Sequence, residues 1–137
     1  MDRPIRVLIV EDCADTAQSM ALLLDRSGYA TAVAATGAGA LSAVGQRVPD
    51  IILLDIGLPD LNGWDLAEKL RAIKVLKETM IVAISGHGRA DDVERSRRAG
   101  CAMHLLKPVD FNELLIRLRE GLEIFRNART TQSTHRA

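Results

Sequence analysis

The sequence predicts an α/β fold, a doubly wound parallel sheet of five strands in the order 2-1-3-4-5 with five helices. Two observations predict it. Short apolar runs alternate with amphipathic segments, the pattern of successive βαβ units. The apolar runs also end in polar residues suited to chemistry: Val10 is followed by Glu11-Asp12, Leu54 by Asp55, Ile84 by Ser85 and Leu106 by Lys107-Pro108. Open α/β sheets gather such residues at the carboxyl ends of their strands. A length of 137 residues and a hydrophobic share of 47% suit one folded domain rather than a disordered chain.

The first strand is expected at 5–10, from Ile5 to Val10, and the first helix at 14–27, with Ala17, Met20, Ala21 and Leu24 on one face. Gly28 stands where a helix stop favours a left-handed backbone. A weaker strand follows at 29–35, then a helix from a Thr36 cap to about Arg47, held by Leu41 and Val44. Residues 50–55 read as a fully buried strand that delivers Asp55 to its end. The third helix is expected from Trp64 to about Leu76, on Leu66, Ala67, Leu70 and Ile73. A strand at 80–84 precedes a charged helix, Arg89 to Ala99, whose one large apolar anchor is Val93. A solvated, charge-laced helix explains that pattern, and the weak anchoring also suits an element that moves. The last strand runs to Leu106, and the last helix from Asp110 to Phe125 carries a stripe of Phe111, Leu114, Leu115, Leu118, Leu122 and Phe125. The domain is expected over 4–126, with 127–137 a disordered polar tail.

Eighteen basic residues balance eighteen acidic ones, so charge gives no reason to expect nucleic acid or an anionic membrane as partner. Cys13 and Cys101 form neither a metal-binding pair nor a disulfide framework, which favours a reducing compartment; each reads as a small core or near-core residue. No apolar stretch approaches membrane-spanning length and the N-terminus shows no leader pattern, so a cytoplasmic protein is expected.

In the order 2-1-3-4-5 the first and third strands are neighbours, which brings Glu11, Asp12 and Asp55 together. Crowded carboxylates repel one another unless a cation neutralises them. Mg2+ suits such oxygens and works with phosphate groups. An aspartate can act as a nucleophile towards phosphorus, with a lysine and a hydroxyl stabilising the transferring group. Lys107 and Ser85 complete that set. Taken singly, Lys107 is an ordinary surface charge, Ser85 a strand-end cap and Glu11-Asp12 a helix-start acid pair. Five such residues at the ends of four strands are hard to assign to chance.

Over about residues 4–125 the chain resembles the receiver domain of two-component response regulators. The resemblance rests on Val10-Glu11-Asp12, the Asp55-to-Gly63 run with Pro59 and Gly63, Ile84-Ser85-Gly86, Ala99-Gly100 and Lys107-Pro108. It implies a flavodoxin-like fold and a phosphorylation-controlled switch in which Asp55 takes a phosphoryl group from a histidine kinase or histidine phosphotransfer protein. It implies Mg2+ held by Asp12, Asp55 and the Gly57 backbone carbonyl, with Glu11 acting through water. Lys107 would pair with the phosphate before a cis peptide at Pro108, and Ser85 would be the switch hydroxyl. The chain departs from the family where His104 stands in place of the switch aromatic; an exposed strand-end role competes there with a switching one. Gly57 and His87 hold the positions expected to influence phosphoryl lifetime. The resemblance further implies a monomer or weak dimer, either a stand-alone receiver or one excised from a hybrid kinase. An aspartyl-phosphate phosphatase would need a second acid where Gly57 stands, and FMN would be repelled by Glu11-Asp12. A phosphate-independent docking module would have no use for the retained acids and lysine.

Overall fold

Strands that are apolar on both sides need cover on both sides. In the computed structural model, which describes residues 3–86 and 88–136, the segments Ile51–Asp55 and Met80–Ser85 are buried at every position. The strands β1 (Arg6–Val10), β2 (Ala30–Ala34), β3 (Ile51–Asp55), β4 (Met80–Ser85) and β5 (Met103–Leu106) form one parallel sheet in the order β2-β1-β3-β4-β5. The helices between and after them are α1 (Ala14–Arg26), α2 (Gly37–Gln46), α3 (Gly63–Arg71), α4 (Ala90–Arg98) and α5 (Phe111–Arg136).

Alternation along the strands divides the core. Val7, Ile9, Leu53, Val82 and Leu105 face Ala17 and Leu24 of α1 and Leu114, Leu118 and Leu122 of α5. Leu8, Val10, Ile52, Leu54 and Ala83 face Ala40 and Val44 of α2 and Leu66, Ala67 and Leu70 of α3. At the amino ends of the strands, Asp50 accepts from the Arg6 backbone N–H at 2.8 Å and from the guanidinium groups of Arg3 at 2.7 Å and Arg126 at 3.1 Å. The functional residues gather at the opposite rim.

Four sequence expectations need correction. The third helix ends at Arg71 instead of Leu76, because Ile73 adopts an extended backbone and a single 3-10 turn follows at Lys74–Leu76. The Arg71 guanidinium donates to the carbonyls of Leu76 and Thr79, fastening that turn back onto α3. Val93 does not anchor α4: it is 43% exposed, and the helix turns Ser96 inward instead, with Ala99 buried just beyond its end. Cys13 is exposed rather than near-core, whereas Cys101 is buried and its thiol is pushed up to about 12 by that burial. The segment 127–136 extends α5 past the Phe125 expected for its end. It contains neither Gly nor Pro to stop the helix, and Arg129 stacks on the Phe125 ring one turn earlier.

Candidate functional site

The parallel register brings the polar strand ends together. Asp55 pairs with Ile84, which leaves Ser85 one step beyond on β4. Ser85 in turn pairs with Leu106, and its carbonyl accepts from Lys107 N–H at 2.8 Å. On the other side of β3, Glu11 follows β1 and donates its backbone N–H to Ala34 at 3.0 Å. One carboxylate oxygen each from Glu11, Asp12 and Asp55 lies within 4.8 Å of the others. Glu11 and Asp55 are buried while Asp12 is exposed. The Lys107 ammonium sits 3.4 Å from both Glu11 Oε1 and Asp55 Oδ2.

Backbone groups hold these carboxylates in place. Cys13 N–H donates to Glu11 Oε2 at 3.1 Å and Gly57 N–H to Asp55 Oδ1 at 3.0 Å. The loop carrying Gly57 closes on itself where Gly63 N–H donates to the Ile56 carbonyl at 3.1 Å. A Cβ on Gly63 would come within 2.8 Å of that carbonyl oxygen, so the close approach requires glycine. Asp60, from the same loop, accepts from Gly37 N–H at 2.9 Å and so fixes the start of α2. The Lys107–Pro108 peptide bond is cis.

Burial raises the pKa of Glu11, with Asp55 adding to the effect against the opposing Cys13 N–H and Lys107. Burial would lower that of Lys107, but Asp55 and Glu11 outweigh it and the pKa rises. Three carboxylates thus face one ammonium, leaving an excess of negative charge. A hard divalent cation fits that excess and that set of oxygens.

Ser85 leads into a second set of contacts. Its Oγ lies 3.0 Å from His104 Nε2, and His104 Nδ1 lies 2.8 Å from Ser96 Oγ on α4. Trp64 Nε1–H on α3 donates to the same Ser96 oxygen at 2.9 Å. His104 is half-buried with both ring nitrogens engaged, so it is not an exposed strand-end residue. Sequence reading missed Ser96 and the indole N–H of Trp64. No signal in the sequence pointed to them, because the anchor it offered, Val93, is exposed. His87 lies outside the described residues.

Comparison with known proteins decides the family. The model of the response regulator receiver domain matches residues 7–119. This chain belongs to the response regulator receiver family. It is 33% identical over 116 residues to the transcriptional regulatory protein KdpE of Mycobacterium tuberculosis, covering 85% of this chain and 50% of that protein. It is 35% identical over 117 residues to the DNA-binding response regulator MtrA of Mycolicibacterium paratuberculosis, covering 85% and 51%. The receiver therefore spans about half the length of these curated relatives. Among solved structures, a CheY-like receiver domain protein from Methanospirillum hungatei aligns with a TM-score of 0.84 at 28% identity, covering 91% of this chain and 98% of that one. A response regulator from Chloroflexus aurantiacus aligns with a TM-score of 0.82 at 29% identity, covering 88% and 98%. Receivers are signalling domains of two-component systems that bind Mg2+ at an acidic pocket. No helix among the described residues is long and apolar enough to cross a membrane.

Proposed function

We propose that Asp55 is the phosphoacceptor of a switch that takes its phosphoryl group from a phosphohistidine on a histidine kinase or phosphotransfer protein. The observation that carries this reading is the Lys107 ammonium 3.4 Å from Asp55, inside the cluster of Glu11, Asp12 and Asp55. An Asp55 carboxylate oxygen forms a bond to phosphorus as the P–N bond of the donor breaks. The electron pair of that bond returns to the imidazole nitrogen, which takes up a proton. Asp12, Asp55 and the Gly57 carbonyl would hold Mg2+, with Glu11 supporting them, and the ion would offset charge on the carboxylates and the incoming phosphoryl oxygens. Lys107 places its positive charge beside the attacked carboxylate, and the Ser85 hydroxyl donates to a phosphoryl oxygen. The domain thereby assists its own phosphorylation and dephosphorylation without turning over a separate substrate. Gly57 and His87 hold the positions that influence the lifetime of the acyl phosphate.

Capture of Ser85 shifts the surface formed by α4, β5 and α5, a population shift between two packings, and that surface meets the downstream protein. Intact-mass measurement with Mg2+ and acetyl phosphate tests the core of this reading. The expected result is one labile phosphoryl adduct that disappears in Asp55→Asn while the circular dichroism spectrum is retained. Labelling that persists in Asp55→Asn would sink the assignment, as would an unlabelled wild-type protein.

A further inference from the structure

The contacts from Ser85 to Trp64 have a fixed donor at one end. An indole N–H can only donate, so Ser96 Oγ is an acceptor from Trp64. Ser96 Oγ, accepting from Trp64, keeps its own hydrogen to donate, and His104 Nδ1 lies 2.8 Å away. His104 Nε2 lies 3.0 Å from Ser85 Oγ on the other side of the ring. A neutral imidazole that accepts at Nδ1 and donates at Nε2 satisfies both. Ser96 is 1% exposed, so its hydroxyl relies on these partners in place of water.

We propose that Trp64, Ser96 and His104 form a one-directional hydrogen-bond relay that fixes the Ser85 oxygen as an acceptor from His104 and directs the Ser85 hydroxyl hydrogen away from it. The inference rests on Asp55 as phosphoacceptor and adds what lies behind the switch hydroxyl. His104 is a positioning residue: it sets the serine to donate towards the phosphoryl group before that group arrives. The same bonds carry the event outward. Movement of Ser85 onto a phosphoryl oxygen stretches its contact with His104, and Ser96 then resettles against Trp64. The Arg95 guanidinium stacks 4.1 Å from the centre of the Trp64 ring, so the relay ends at a junction between α3 and α4. A phenylalanine at position 104 could fill the space but could bond neither serine.

Trp64 is the chain's single tryptophan, which makes its indole N–H an unambiguous reporter. The experiment is nitrogen-15 NMR of the full chain, with and without Mg2+ and beryllium fluoride, beside mass measurement of acetyl phosphate labelling. The relay expects His104 to carry its proton on Nε2 and the Trp64 indole resonance to shift when beryllium fluoride binds. Ser96→Ala and His104→Phe should each reduce that shift at least about fivefold while Asp55 still becomes labelled. A His104 proton on Nδ1 would overturn the proposal. So would an indole shift that survives in both variants, or a wild-type indole that does not respond although Asp55 is labelled. Failure of Asp55 to label in the wild type overturns the functional reading, and the relay with it.

Discussion

Burying Glu11 withdraws water from its carboxylate, and Asp55 adds repulsion, so the Glu11 pKa lies above its ordinary 4.5. The stability linked to this carboxyl is therefore fully present below 4.5 and lost as pH rises through the raised value. When ionised and without metal, its charge works against the fold. Glu11→Gln should raise the melting temperature in the presence of a chelator and weaken Mg2+ binding roughly tenfold or more; calorimetry and a metal titration check the two halves. Lys107→Ala should keep metal binding but slow labelling by acetyl phosphate about tenfold or more, because the cation beside the attacked carboxylate is lost. Equal labelling rates would reduce Lys107 to a structural role. Asp55 and Lys107 could be read in the sequence because each ends an apolar run with a polar group. Ser96 and Trp64 could not, since their contact joins residues 32 apart across a helix pair and leaves no periodic trace.

The strongly periodic elements were legible, because a buried stripe leaves its spacing in the chain: the five strands and the core-facing turns of α1, α2 and α5 fall where the apolar residues recur. The end of α3 was not. Leu76 is completely buried although the helix has already stopped, so an apolar residue at helical spacing entered the core from a 3-10 turn. Two glycines show how backbone geometry joins elements. Gly100, just after α4, has φ +103°, and a Cβ there would lie 2.7 Å from Arg71 Cδ. Gly100→Ala should cost about 1–2 kcal/mol, since the backbone is strained but the long Arg71 side chain can yield. Gly63→Ala should cost more, above about 3 kcal/mol, because its obstacle is the Ile56 main chain. Urea denaturation of both variants checks the order, and a smaller loss for Gly63→Ala would show that the loop relaxes freely.

Across the whole molecule the sheet separates two tasks, with the cluster of Glu11, Asp12 and Asp55 at the carboxyl rim and Asp50 at the amino rim. Burial would raise the Asp50 pKa, but the bond from Arg3, the Arg6 N–H and the charges of Arg3 and Arg126 outweigh it, and the value falls below the ordinary 3.8. The stability it contributes is present above 3.8 and lost as pH falls through the depressed value. Asp50→Ala should cost about 2 kcal/mol near pH 7, with the difference from wild type shrinking in strong acid. Chemical denaturation at both pH values measures this, and a loss that does not depend on pH would assign the effect to packing.

Because Arg3 and Arg126 grip the same carboxylate, the stretches of chain that lead into β1 and run on through α5 share one anchorage. That anchorage lies at the amino edge of the sheet, roughly 16 Å of strand away from Asp55. A surface, a bead or a fused protein attached at residue 3 or beyond residue 126 would hold the domain from below, like a lamp on its stand. The rim around Asp55 would face outward, open to an incoming partner, whichever end bore the tether.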